Sequence, residues 1–320
     1  LSDMLYHSKF DKEEIDRERG VIIEEINMYE DNPIMYIEDV FEEVIFQNTD
    51  LGRSIAGPRV NISTISRSVL HNYYKNNYYN GNAIIGIAGK FEEKKALALI
   101  NKLFPLAKKQ KRLRYKTIGP LKQNKIAVSI IKRDLEQVQL MLGFRSPDIK
   151  DKQFLSSQLL ANILGGSMSS RLFLSIRERK GLCYFIRAGI NAYQDHSAFY
   201  IRSGLNKLKI YEALSAIKEE VEKVRLQGVS ALEFSQAKEN MRGRLILKME
   251  EASNNLSFLL SQEVADQKIK DFADKLKELD KISLKQINAL AENLIDWSKC
   301  SLSIIGPFTN KNKFINILKK

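Results

Sequence analysis

Two stretches of this chain, 217 residues apart, follow one plan. "ISRSVLHNYYKNNYYNGNAIIGIAGKF" (65–91) and "ISLKQINALAENLIDWSKCSLSIIGPF" (282–308) align over 27 residues without a gap. Ile65/Ile282, Ser66/Ser283, Asn76/Asn293, Ile87/Ile304, Gly89/Gly306 and Phe91/Phe308 are identical pairs. Each copy reads as a helix, then a strand that ends in a glycine turn. Chance supplies scattered identities, but not readily the same punctuation in register. The chain is therefore expected to contain one domain plan twice.

The second copy begins with the strand "IAVSIIK" near Ile126 and continues with "VQLMLGF". A helix "QFLSSQLLANILGG", a helix-to-strand run "SSRLFLSIRERKGLCYFIRAGI" and a strand "AFYIRSGL" follow. Long amphipathic helices over 207–226 and 230–265 come next. Strands so close together pair antiparallel, and the helices cover a face of their sheet. The expected class is α+β: two homologous halves, each a mostly antiparallel sheet with helices packed on one face, arranged as a clamshell. The expected boundaries are 1–107, a basic linker 108–125, and 126–320. Carried back by the repeat offset, the first strand of the first half falls about ninety residues upstream of Leu1.

With 320 residues, 44% of them hydrophobic, the chain can bury a core in more than one domain. No apolar run reaches transmembrane length, and the start lacks the order of a signal peptide, so no membrane association is expected. The net charge of +12 would suit nucleic acid. No aromatic-interleaved basic motif accompanies it, and the lysines spread along solvated helix faces, so no nucleic-acid partner is expected. The densest basic run, "KKQKRLRYK" (108–116), reads as a solvated linker. Cys183 and Cys300 lie far apart with no CxxC spacing, which argues against a disulfide framework or a cysteine metal site. Reduced thiols fit a cytoplasmic protein.

The segment "FDKEEIDRERGVIIEEINMYEDNP" (10–33) reads as one helix, with Asp11 and Glu14 at its start and Asn32-Pro33 at its end. On an ideal wheel Glu25 lies about 20° from Glu18, among Val21, Ile22, Tyr29, Ile15 and Ile26. Both carboxylates are thus expected in the middle of the apolar face. An ionised carboxylate there needs a cation, hydrogen bonds or a metal. Two readings stay open: an ion pair, with flanking Arg17 or Arg19 among the candidates, or a metal or catalytic site.

The run "DMLYHSKFDKEEIDRERGVIIEEINMYEDNP" resembles the segment that follows the zinc motif in M16 metallopeptidases, the insulinase and mitochondrial processing peptidase family. A second run, "LGGSMSSRLFLSIRERKGLCYFIRAG" (164–189), resembles that family's C-terminal-half signature. The likeness extends over essentially the whole chain, including "LGRSIAGP" (51–58), and the family is itself built of two homologous halves. It implies a zinc endopeptidase acting on peptides or unfolded segments. Glu25 would be a zinc ligand, and Glu18 a carboxylate that orders the site. Arg177 and Tyr184, seven residues apart, would grip the substrate. A homodimer is compatible with this reading.

The family's inverted zinc motif, H-x-x-E-H, is absent from these 320 residues. His7, His71 and His196 have no paired ligand spacing and are expected to be surface or loop residues. The resemblance places the motif in the upstream segment, so the zinc site here is expected to be incomplete. A non-catalytic scaffold or partner subunit of the same family is the alternative reading.

Overall fold

The computed structural model describes residues 1–104, 117–119, 121–265 and 268–320. Most of the expected linker, 108–116 and residue 120, lies outside the described residues. The chain begins with α1 (Ser2–Tyr6), α2 (Lys12–Asp31), α3 (Pro33–Ile45), α4 (Arg59–Thr64), α5 (Arg67–Asn77) and α6 (Glu93–Leu103). Strands β1 (Ala127–Lys132) and β2 (Gln137–Ser146) follow, then α7 (Phe154–Gly165), β3 (Cys183–Ala192) and β4 (Ser197–Asn206). The rest comprises α8 (Ile210–Gln227), α9 (Ala231–Met249), α10 (Ala252–Val264), α11 (Phe272–Lys281), α12 (Leu284–Leu294), β5 (Ser301–Gly306) and α13 (Lys311–Lys319).

Contacts divide the chain into two units, each drawn from separated stretches. Unit 1 is Leu1–Met28, Ile55–Thr117 and Ile246–Asp271; unit 2 is Tyr29–Ser54, Ile118–Leu245 and Phe272–Lys320. These packing units are not contiguous halves of the sequence. The division expected near 107–126 concerns where the repeat begins, a different property from which residues pack together.

Unit 2 is built on one five-stranded sheet in the order β1-β5-β2-β4-β3. Only β1 and β5 run parallel; the other three pairings are antiparallel. Period-two alternation sorts the side chains. Leu140, Leu142 and Phe144 of β2 join Phe199, Ile201, Leu302 and Ile304 in the main core, with Leu159, Leu214 and Leu290 from α7, α8 and α12. On the opposite face, Met141, Ala198 and Ile305 pack with Ile37, Val40 and Phe41 of α3. Central strands covered on both faces expose almost nothing, and β5 is buried at every residue, its two serines included.

Two glycines permit this stacking. A Cβ on Gly143 would lie 2.6 Å from the tip of the Phe41 ring, so α3 rests directly on the β2 backbone. A Cβ on Gly165 would lie 2.8 Å from the carbonyl carbon of Arg187, so the end of α7 approaches β3 as closely as backbones allow. Polar contacts then hold α3 in place. Arg145 donates to the last carbonyl of the helix, Ile45 O, at 3.0 and 3.2 Å. The Ser303 hydroxyl donates to Val40 O at 3.1 Å. Tyr193 and Asn191 donate to the Glu42 carboxylate at 2.6 and 2.9 Å.

The regular elements among unit 1's described residues are all helices, and side chains tie the chain to free carbonyls. Arg19 donates to Ile62 O and Ile65 O at the C-terminal end of α4. Arg67 donates to Phe10 O and Lys9 O at 2.6 and 3.0 Å, and Tyr74 to Leu5 O at 2.5 Å. Of its described residues only Ile26, Gln262 and Ala265 are buried.

The repeat is visible in local structure and then diverges. α5 and α12 begin and end at matching positions. Ser66 and Ser283 cap them by accepting from Val69 N and Gln286 N, each at 3.3 Å. The 3-10 turns Asn80–Asn82 and Trp297–Lys299 also match. Beyond them, β5 is a strand, whereas 83–88, which overlaps its expected counterpart 84–89, is not. The physical reason is the ladder. β5 exchanges hydrogen bonds with β1 and β2, and among the described residues no strand lies beside 83–88. Ile84, Ile85 and Ile87 remain about 40% exposed.

The turn between α7 and β3 is fixed to the start of α9 by one ion pair. Arg171 meets Glu233 in a two-pronged contact, Nε–Oε1 2.8 Å and Nη2–Oε2 2.7 Å. Glu233 also closes a capping box, accepting from Ser230 N and Oγ while its own N–H donates to Ser230 Oγ. Burial alone would raise the Glu233 carboxyl, but the hydrogen bonds from Arg171 and Ser230 outweigh it and bring it down to about 2. Because the folded value lies below the unfolded one, its stabilisation is full above about pH 4.5 and is lost as pH falls towards 2. Glu233→Gln is expected to cost roughly 2 kcal/mol near pH 7 in denaturant unfolding. The difference from wild type should shrink towards pH 2; a constant difference would remove the assigned role.

Candidate functional site

The sequence singles out two constellations, and each lies within one unit. On α2 the carboxylates of Glu18 and Glu25 are exposed, not centred on the buried face as the helical wheel suggested. The buried side runs through Ile15, Arg19, Ile22, Ile23 and Ile26. Arg19, placed on a flank by the wheel, is drawn inward because its guanidinium satisfies the carbonyls ending α4. That rotation leaves Val21, Met28 and Tyr29 exposed at 58, 54 and 41%, on the same side as Glu18 and Glu25. Neither glutamate has a hydrogen bond or ion pair among the described residues. Arg17 pairs with Glu14 and Arg19 with Asp16, so the internal ion pair considered from sequence does not form.

In unit 2, Arg177 and Tyr184 sit on consecutive irregularities of the backbone. Arg177 belongs to a π-helical turn, Phe173–Arg179. Gly181, at φ +59°, ends it, and Leu182 N donates back to Ile176 O at 3.0 Å. The Arg177 guanidinium lies 4.7 Å from the centre of the Phe173 ring. Its approach to Glu178 is only 3.9 Å, so its donors are not consumed in an ion pair. Tyr184 lies where the β3–β4 register slips, between Cys183 opposite Leu205 and Phe185 opposite Gly204. It is 57% exposed and has no hydrogen bond among the described residues. Widened turns and β-bulges both re-aim side chains, and both recur at functional sites.

The family likeness singles out Arg177 and Tyr184, but the sequence gives no sign of their settings. A π-turn and a bulge arise from neighbouring backbone, and the "RERKGLCY" run carries only the glycine that ends the turn. β3 is moreover an edge strand, and no described strand pairs with its outer side.

The remaining candidates have ordinary surroundings. His7 pairs with exposed Asp3 at 2.7 Å, and His196 contacts Ile118 O at 3.2 Å in the β3–β4 connection. His71 lies half-buried on helix α5 against Phe10 and Tyr74, rather than in a loop. Both cysteines are free and buried. Burial pushes the Cys300 thiol up to about 12, away from nucleophile or ligand chemistry. The described residues bring together no group of three or more His, Cys, Asp and Glu side chains. Catalytic zinc normally takes three protein ligands. Glu25 can offer one carboxylate, so the residues described here do not by themselves compose a zinc site. No described helix is long and apolar enough to cross a membrane.

Comparison with known proteins extends the sequence likeness. Residues 1–59 match the model of the insulinase family, peptidase family M16, and residues 64–241 match that of the peptidase M16 inactive domain. The chain is 29% identical over 311 residues to YmxG of Bacillus subtilis, named an uncharacterized zinc protease, across 97% of this chain and 75% of that one. Among solved structures it resembles a peptidase M16 inactive domain from Pseudomonas fluorescens, with TM-score 0.86 and 18% identity over 96% of this chain and 73% of the other. A protease from Helicobacter pylori superposes with TM-score 0.83 and 19% identity, over 93% of this chain and 73% of that one. With the second family model alone spanning more than half of its length, the chain belongs to the M16 (insulinase) peptidase family.

Proposed function

We propose that this chain serves a zinc-dependent endopeptidase of peptides or unfolded segments, supplying the groups that hold the peptide and one carboxylate helix. The observation that supports this best is the state of Arg177 and Tyr184. Both are exposed with donors to spare, and both are aimed by backbone irregularities beside an open sheet edge. A guanidinium and a phenol can donate to peptide carbonyls, or to an oxygen that gains negative charge as a peptide bond is attacked. An extended peptide can satisfy its backbone groups on a free edge such as that of β3. Glu25 would be one metal ligand and Glu18 a carboxylate that orders its surroundings. The exposed strip of Val21, Met28 and Tyr29 beside them suits a face that other residues cover.

A second reading is a scaffold or partner subunit without catalysis. One observation favours it: residues 64–241 match a domain described as inactive. Peptide hydrolysis by the intact protein, abolished by chelator and restored by zinc, separates the two readings.

Two further outcomes are expected. The 320-residue chain, dialysed and analysed for metal, should hold well below one zinc per chain, because one ligand of three cannot retain it. Tightly held, stoichiometric zinc would place the site elsewhere. In the intact enzyme, Tyr184→Phe should lower kcat by about 10²- to 10³-fold, as loss of an oxyanion donor does, while zinc content and Tm stay near wild type. Full activity of Tyr184→Phe would remove that residue from the mechanism.

A further inference from the structure

The open edge of unit 2 carries a charge arrangement that the main site does not use. Arg187 of β3 stands directly opposite Arg202 of β4. Directly opposed residues of an antiparallel pair lie about 5 Å apart at Cα, and like charges placed so repel. Arg202 is largely neutralised on one side, donating to the Glu38 carboxylate and to Ile34 O on α3. Its Nε, however, is buried without a hydrogen-bond partner among the described residues. Arg187 is exposed and has no ion pair or hydrogen bond among the described residues. Tyr200, two residues before Arg202 and on the same face, lies across Gly189 of the edge strand. A Cβ on Gly189 would stand 2.5 Å from its hydroxyl, which has no hydrogen bond among the described residues. Gly189 therefore clears the path by which Tyr200 reaches the edge. Three donors of an anion site share one face of the outermost two strands; of the α3 carboxylates, Glu38 is occupied by Arg202 and Glu42 by Asn191 and Tyr193.

We infer that Arg187, with Arg202 and Tyr200 behind it, forms a station for an acidic side chain of an extended peptide lying along β3. The inference rests on the peptide-binding reading above and adds a substrate preference to it. A strand added to the free edge brings one of its residues directly opposite Arg187 on the same face. An Asp or Glu there meets a guanidinium in a charge-assisted contact and relieves the repulsion between the two arginines. A Gln of similar size relieves nothing. A purely protective charge on an edge strand would show no such preference.

Fluorescence anisotropy on the intact protein tests this, with labelled unstructured peptides in which one Glu or its Gln counterpart is moved along the sequence. At the best position the Glu peptide should bind roughly fivefold more tightly than its Gln partner. The ratio should fall to about one in Arg187→Gln and invert in Arg187→Glu. It should persist in Lys152→Gln, which changes net charge equally at an exposed site elsewhere in unit 2. Loss of the preference in Lys152→Gln as well, or its survival in Arg187→Gln, would overturn the station in favour of overall charge. Equal binding of all Glu and Gln peptides would overturn the station and leave the peptide reading intact. Absence of binding by every peptide would overturn both.

Discussion

The antiparallel ladder between β2 and β5 is the contact on which unit 2 depends. It joins Gln139–Gly143 to Ser301–Ile305, residues more than 150 positions apart, and seats β5 between two partners. Once that ladder closes, the backbone groups of β5 are satisfied and its side chains can be buried on both faces. α7, α8 and α12 then find one apolar surface and α3 finds the other. The segment 83–88 shows what the same pattern does without neighbours. It carries Ile87, the counterpart of Ile304, yet among the described residues it has no ladder to enter.

The Arg177–Tyr184 corner follows from that framework. The sheet fixes β3, Gly165 brings α7 against it, and the Arg171–Glu233 pair anchors the intervening turn to α9. The span between α7 and β3 is then taken up by a π-turn and a bulge rather than by a regular helix and strand. Each irregularity presents one donor side chain to solvent. A site assembled this way is held by buried contacts beneath it, which is how exposed groups keep a defined direction.

The α2 helix makes the opposite case. Its carboxylates face outward because the strongest polar demand nearby, the free carbonyls at the end of α4, is met by Arg19. Which side of an amphipathic helix is buried depends on the acceptors and apolar surfaces that meet it. With isoleucines over a wide arc of α2, several rotations satisfy the hydrophobic pattern almost equally.

Local features were therefore open to reading from the residues. Ser66 and Ser283 start matching helices, Gly181 ends the turn that carries Arg177, and the short apolar runs "VQLMLGF" and "AFYIRSGL" mark β2 and β4 as strands. The family likeness was also carried by contiguous runs, since "SSRLFLSIRERKGLCY" and "DRERGVIIEEINMYEDNP" keep their order along the chain. What the residues could not reveal depends on partners distant in sequence. The opposition of Arg187 to Arg202, the slip that frees Tyr184, the outward turn of Glu18 and Glu25, and the failure of 83–88 to form a strand are all of this kind. Propensity and period act within a few residues, whereas ladders, carbonyl acceptors and packed faces are supplied from across the fold, and only the tertiary structure brings them together.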